Sequence, residues 1–578
     1  MRILLLTHAF NSLTQRLGAE LTRRGHEISI EFDIADSVTE EAVALFKPDL
    51  IVAPYLRRAI PESIWKHHVC LVVHPGIVGD RGPSALDWAL QDGESEWGVT
   101  VLQAEAEMDA GPVWATAAFP MRAAKKSSIY RNEVTQAAVT AVLRAVERYA
   151  AGEAPTPLAA WPEARGRLRP LMKQPERAID WLHDDSATVL RKINAADGVP
   201  GVADSLFGIP CHIFDAWPEA SLAGVSPAGA GRVIGRRETA LLRRTCDGAV
   251  WIGHVRREGG IKLPASLAFP AESSVLAEVP LPTWWRIEYA TWQDIAWEES
   301  GEVGWLHFEF YNGAMSTTQC RRLHEALAWA RTRPVRVIVL AGGADFWSNG
   351  IHLNVIEAAS LGDGSPADES WNNINAMNDL ALELINSGRQ ITVAALAGNA
   401  GAGGCFLARA ADLVWVRDGV MLNPHYKNMG NLYGSEYWTY LLPRRVGDDG
   451  VGDKCGAIMR NRQPLTAQAA VEIGFSDACL AGDMAAFRVD VARRAMEIAA
   501  APDLAERLAA KRERRARDEA EKPLAAYREE ELAQMRRNFY GFDPSYHVAR
   551  HHFVRKSLAS WTPRHLARHR DLGWTVPE

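Results

Sequence analysis

The sequence predicts an α/β multidomain protein: two large blocks of alternating strand and helix, a small α+β module between them, and a helical tail. Three observations carry this. Short apolar runs alternate with stretches of helical period through the first 120 residues and again after Trp285. Between those blocks, apolar and polar residues swap at every second position, as in half-buried antiparallel strands. From about Ala501 the composition turns to Ala, Glu and Arg at helical spacing.

In order, RILLLTHA, EISIEF, DLIVAPY and VCLVVHP read as strands, with SLTQRLGAELTRRG and PSALDWALQDGE as helices between them. That rhythm predicts a parallel sheet with crossover helices. The opening apolar run stops at His8 with no small-residue cleavage signal behind it, so it reads as a buried first strand. Pro, Ala and Arg crowd AAGEAPTPLAAWPEARGRLRP and mark a boundary. A helix, PERAIDWLHDDSATVLRKINAA, then precedes the alternating ETALLRRTCDGAVWIGHVRREGG, and FPAESSVLAEVPLPTW links it onward. GWLHFEF, RVIVLAGG, ITVAALAG and DLVWVRD are the strands of the second large block. The expected domains are 1–165, 166–282, 283–500 and a helical extension, 501–578, whose His- and Arg-rich end reads mainly as a solvated amphipathic helix.

Composition excludes several classes. With 578 residues, 47% hydrophobic and 23% charged, the chain has ample core material and is not extensively disordered. A net charge of −7 gives no general basic field for nucleic acid or anionic lipid. The seven cysteines are scattered and never spaced C-x-x-C, which argues against a disulfide framework and a zinc site and predicts a reducing compartment. No run approaches the roughly 18 to 20 apolar residues that span a bilayer, so a cytoplasmic protein without membrane or metal partners is expected.

Two places carry candidate chemistry. His74 sits just past a strand, where ligands of parallel sheets bind, and Asp109 lies in a second post-strand turn before Gly111-Pro112. A carboxylate beside an imidazole orients it for proton transfer. The same residues also accommodate a structural reading, a strand-end histidine on a carbonyl and a turn aspartate on its own loop. The order His74, Arg81-Gly82, Pro83, Gly98-Val99-Thr100 and Asp109-Ala110-Gly111-Pro112 resembles the formyltransferases that use formyltetrahydrofolate. IVAPYLRRAIPESIW is similar to their strand and loop beside the pterin, and the α+β module resembles the domain that follows in methionyl-tRNA formyltransferases. The resemblance implies a Rossmann-type sheet, His74 and Asp109 as catalytic groups, and folate contacts from Pro75, Gly76, Ile77 and Arg81. Val72 stands where the family has its catalytic Asn. Loss of one such oxyanion donor typically costs about 100- to 1,000-fold in rate, so the acceptor is expected to differ.

The second place is ITVAALAGNAGAGGCFLARAADLVWVRD, a strand, a Gly-rich turn and a helix. A dinucleotide fingerprint fails because Phe406 occupies the third glycine position. Glycines that let backbone N–H groups converge at a helix N-terminus still suit an oxyanion, while a tight strand–helix turn is the plain structural alternative. With FYNGAMS and FWSNGIHL, this region resembles the crotonase (enoyl-CoA hydratase/isomerase) superfamily from Asp294 to past Gly447. The resemblance implies a coenzyme A thioester whose carbonyl meets the backbone N–H groups of Asn349 and Gly403, with Gly350 and Gly398 in the binding turns. Phe406 and His425 occupy the positions of the hydratases' two glutamates, so water addition is not expected. Downstream, Tyr433 and Glu436 at i and i+3 are expected to share a helix face. Desolvation beside Tyr437 and Trp438 should raise the Glu436 carboxyl towards neutrality, unless it merely caps the helix or pairs with Arg444 or Arg445.

The pairing of the two domains, with AFNSLTQR and YGSEYW, is similar along nearly the whole chain to accessory proteins of aerobic NiFe-hydrogenase maturation. It implies a bifunctional enzyme that moves a formyl group from formyltetrahydrofolate to coenzyme A and collapses formyl-CoA to carbon monoxide, with the maturation machinery as partner. A thiol acceptor suits Val72, because a thiolate is already a strong nucleophile. Arg16 and the tail residues Arg550, Arg555 and Arg564 are candidate contacts for the phosphates of coenzyme A. Two other readings stay open: an amine formyltransferase fused to an active hydratase or isomerase, and a non-catalytic scaffold that binds folate or coenzyme A.

Overall fold

The computed structural model describes residues 1–571 except 163, 225–228 and 448–452. The first domain is built on β1 (Arg2–Thr7), β2 (Glu27–Phe32), β3 (Leu50–Tyr55), β4 (Cys70–His74), β5 (Glu96–Gln103) and β6 (Val113–Pro120), in the order β2-β1-β3-β4-β5-β6. The first four strands are parallel, but β5 pairs antiparallel with both β4 and β6. The four strands expected to be parallel are so, and the β5–β6 pair beyond them is antiparallel because the link 104–112 is too short for a crossover. That link carries Asp109. The helix Ser12–Arg23 starts on Asn11, whose side chain accepts from Thr14 N at 3.0 Å, and buries Leu13, Leu17 and Leu21 against the sheet.

The middle domain is an antiparallel sheet of β7 (Val202–Leu206), β8 (Ile209–Pro218), β9 (Val233–Arg237), β10 (Ala240–Arg244), β11 (Ala249–Arg257) and β12 (Lys262–Pro264). Its order is β7-β8-β11-β10-β9, with β12 on β11 and the helix Ser186–Ala196 packed behind. The strands are antiparallel as expected, but β10 and β11 are not half-buried: Leu241, Val250 and Ile252 pack in one core and Leu242, Ala249 and Trp251 in another on the opposite face.

The third domain contains β13 (Ile295–Ser300), β14 (Val303–Phe308), β15 (Val337–Gly342), β16 (Phe346–Ser348), β17 (Ile391–Leu396), β18 (Asn399–Gly401), β19 (Leu413–Arg417), β20 (Met421–Asn423), β21 (Leu465–Thr466) and β22 (Ala478–Leu480). They form one sheet, β13-β14-β15-β17-β19-β22, and a smaller one, β16-β18-β20-β21. Helices Thr317–Ala330 and Pro366–Ile385 close the core around Trp297, Trp347, Met377 and Phe406. Among the described residues no helix is long and apolar enough to cross a membrane.

Most charges of the C-terminal segment face solvent, as its pattern predicts, Arg555, Arg564 and Arg568 among them, but part of the segment is covered. Met535, Phe539 and Tyr546 belong to the third domain's core, and Leu566 belongs to the first domain's. Arg550 is buried and donates through Nε to Glu357 Oε2 at 2.9 Å, so it is not free for a phosphate. The fully buried Glu31 of β2 accepts from Arg570 Nε at 2.9 Å, lies 2.9 Å from His569 Nε2 and also bonds Thr562. A charged face therefore ties the third domain to the first. Breaking a buried pair on one side leaves an uncompensated charge and typically costs about 3–5 kcal/mol. Arg550→Ala is accordingly expected to lower the thermal unfolding midpoint clearly, whereas Arg564→Ala, at an exposed position, should leave it within error.

Candidate active site

The first cluster forms where β4 ends. His74 is buried, with Nε2 2.9 Å from Asp80 Oδ2 and Nδ1 3.5 Å from Asp109 Oδ2. The imidazole is thus held between two carboxylates. Asp109 stands in left-handed backbone (φ 54°), and its Oδ2 also accepts from Gly82 N at 3.1 Å, fixing the carboxylate beside the ring. Gly76 is obligatory here: a Cβ would lie 2.4 Å from His74 Nε2 and 2.6 Å from Asp80 Oδ2. Sequence reading passed over Asp80, although it directly precedes the Arg81-Gly82 element.

Not every expected folate contact reaches the cavity. Pro75 and Val72 line it, while Ile77 packs against Gly98 and Arg81 pairs with Glu107. Gly76 sits behind His74 as a spacer. Ile77, Gly76 and Arg81 are corrected to supporting positions.

The second cluster forms at the glycine turn. Ala402 takes a backbone open to few non-glycine residues (φ 47°, ψ −126°) and starts the helix Gly403–Arg409. Gly403 N–H has no acceptor among the described residues, so it points an unspent donor at the helix N-terminus. Asn349 N–H is different. It donates to Gly313 O at 2.7 Å, which corrects the expected pair of free donors. Gly350, at φ 79°, backs onto Gly403: a Cβ on it would lie 3.3 Å from Gly403 N, whose N–H must stay clear. Gly398 packs against the backbone of Gly343 and Phe346 and lies outside this cavity, a further correction.

Glu436 lies over this turn, since a Cβ on Gly403 would meet Glu436 Oε1 at 2.4 Å. Its carboxyl is buried, and burial pushes it up to about 8, opposed by the hydrogen bond from Tyr426 and aided by the nearby Glu531. Tyr426 Oη donates to Glu436 Oε2 at 2.5 Å. The expected partner, Tyr433, is elsewhere. Gly434 (φ 97°) and the left-handed Glu436 and Tyr437 (both φ 59°) break any helix before Trp438, so Tyr433 turns outward to pack on Trp438 with ring centroids 5.4 Å apart. Gly434 also makes room for Tyr426, whose ring would lie 2.1 Å from a Cβ there. Glu531 of the helix Leu524–Tyr540 holds the unusual loop by accepting from Tyr437 N and Thr439 N at 3.0 and 2.9 Å. No sequence signal marked Glu531. Arg444 and Arg445 pair instead with Asp518 and Asp477.

The two family glutamate positions carry no acid. Phe406 stacks on Tyr426, with ring planes 10° apart and centroids at 5.6 Å. His425 is buried, is held at about 4 by desolvation and nearby cations, and has no partner on either ring nitrogen among the described residues.

Both clusters open into one cavity of about 2510 Å³. Val72, His74 and Asp109 line it on one side, Gly350, Gly403, Tyr426 and Glu436 on the other, with Lys262 of the middle domain and Arg555 and Lys556 of the tail between. Arg16 does not reach this space; Gln15, one residue earlier, does. Sequence profiles for formyl transferase, the formyl transferase C-terminal domain and enoyl-CoA hydratase/isomerase match residues 31–146, 171–270 and 309–562. Hydrogenase maturation factor HoxX of Bradyrhizobium diazoefficiens is 53% identical over 573 residues, covering 99% of this chain and 97% of that protein. The chain belongs to the HoxX family of hydrogenase maturation factors. A crystal structure of HypX from Aquifex aeolicus in complex with tetrahydrofolic acid superposes with a TM-score of 0.94 at 46% identity, each chain covered completely. A methionyl-tRNA formyltransferase of Roseiflexus castenholzii is 29% identical over 242 residues, covering 40% of this chain and 74% of that one. This chain thus joins formyl transferase and enoyl-CoA hydratase/isomerase domains, and its two clusters face one space.

Proposed function

We propose that this protein makes carbon monoxide for hydrogenase maturation by passing one formyl group from formyltetrahydrofolate to coenzyme A and then releasing it from the thioester. The shared cavity supports this reading most directly, because a flexible thiol arm needs no exit to solvent between His74 and Glu436. At the first cluster His74, held by Asp80 and Asp109, serves proton transfer as the folate nitrogen leaves and the thiolate attacks the formyl carbon. At the second, Gly403 N–H polarises the formyl oxygen.

Glu436 then takes the formyl proton. The C–H electron pair becomes the carbon lone pair of CO, the C–S pair leaves on sulfur, and Tyr426 protonates that thiolate and recovers a proton from Glu436 across their 2.5 Å hydrogen bond. One thioester gives one CO and one thiol. Hydration is disfavoured because Phe406 and the neutral His425 leave no carboxylate pair.

The test is direct: protein, formyltetrahydrofolate and coenzyme A are incubated and the gas is trapped on reduced haemoglobin. The carbonyl Soret band is expected, and its absence even with authentic formyl-CoA rejects the proposal. The pH dependence is signed. Glu436 must be ionised to accept a proton, so CO release from formyl-CoA should climb about tenfold per pH unit below about 8 and level off above it. A rate that falls across that range would assign the base elsewhere.

A further inference from the structure

Arg16 is nine-tenths buried between the helix Ser12–Arg23 of the first domain and Gly419 of the third, yet makes no hydrogen bond or ion pair among the described residues, and its Nε has no acceptor. The guanidinium lies against Gly419, where a Cβ would come within 2.8 Å of Nη1 and Nη2. Arg417 is close enough that, after desolvation, Arg16 is the main cause disfavouring its charged form. The acids nearby are already used. Glu20 pairs with Arg24 at 2.6 Å, Asp418 bonds Gln468, and Asp345 accepts from Ser128, Asn132 and Arg131. Arg417 donates to the neutral acceptors Ala397 O, Gly482 O and Asn132 Oδ1, and Asp418, Glu133 and Asp483 offset its charge without a direct ion pair.

Between these groups lies a small cavity of about 20 Å³, separate from the large one, whose charged and polar lining includes Ser12, Arg16, Arg131, Asn399 and Arg417 and one carboxylate, Asp345, already held by Ser128, Asn132 and Arg131. Ser12 Oγ accepts from Asn399 Nδ2 at 3.2 Å, so its hydroxyl proton remains available to donate. An unpaired buried cation such as Arg16 is costly, and the half-buried Arg417 beside it adds positive charge to the same seam. The volume holds about one or two water-sized atoms. We infer that this seam binds a single monatomic anion of chloride size between Arg16 and Arg417, which neutralises the interface and fixes the first domain on the third. Arg131 lines both cavities and donates to Asn312 Oδ1 at 2.9 Å, so the ion sits behind a wall of the shared space.

Thermal unfolding of the full chain is measured in sodium chloride and in sodium gluconate at equal ionic strength. Chloride should raise the midpoint saturably, by on the order of 2 °C, in the unsubstituted protein and not in Arg16→Gln. Equal midpoints in the two salts, or an undiminished chloride gain in Arg16→Gln, overturn the inference. Should Arg16→Gln fail to fold, a bromide-soaked crystal of the unsubstituted protein decides: an anomalous peak between Arg16 and Arg417 is expected, and an empty seam in such a crystal rejects the site.

Discussion

Replacing Glu436 by Gln is expected to cut CO release from formyl-CoA by about 10²- to 10⁴-fold, the range that a positioned acid–base group contributes. Glutamine keeps the volume and can still accept from Tyr426, so the loop should persist and the loss should appear in kcat, with KM nearly unchanged. Formyl transfer to coenzyme A at the His74 end should continue, and formyl-CoA should accumulate or hydrolyse to formate. Tyr426→Phe is expected to lose less, because water can protonate a thiolate more readily than it can remove a formyl proton. A Glu436→Gln protein that releases CO within a few-fold of the unsubstituted rate would remove this carboxyl from the chemistry, and the unpartnered His425 would become the next candidate.

His74→Ala should do the reverse. Folate-dependent CO formation is expected to fall by about 10²- to 10⁴-fold, while CO from added formyl-CoA stays near the unsubstituted rate. Asp80→Asn separates charge from position: the amide can still meet the ring at 2.9 Å, but one of the two carboxylates is gone. Its folate-dependent rate should lie between those of the unsubstituted protein and His74→Ala. Equal loss of both half-reactions in His74→Ala would mean the substitution damages the fold, since His74 lines only one end of the cavity.

What could be read in advance follows from how local each cause is. Strands, domain order and the residues at strand ends depend on runs of a few residues, so His74, Asp109, Gly403 and Glu436 were visible. Tyr426 was not, because its contact with Glu436 exists only where Gly434 admits the ring and two consecutive left-handed residues turn the chain. The same turn explains why Tyr433, assigned a helical face, points away. Asp80 was hidden for a related reason: Gly76 lets the loop close tightly enough to bring that carboxylate back onto the strand end. Arg16 and Arg550 read as contacts for the phosphates of coenzyme A, and the His569 end as solvated charge, because periodicity cannot show that another domain will cover a polar face. Asn349 carried the right backbone position, yet Gly313 O had already claimed its N–H.

In the proposed reaction one formyl group stays inside one molecule from the imidazole to the glycine turn. Carbon-labelled formyltetrahydrofolate, coenzyme A and the protein are therefore turned over in the presence of a large excess of unlabelled formyl-CoA, added faster than it decays. Transfer within the cavity predicts that CO formed early carries nearly the specific label of the folate donor. CO diluted to the label of the bulk formyl-CoA pool would show release and rebinding, and would contradict the shared path.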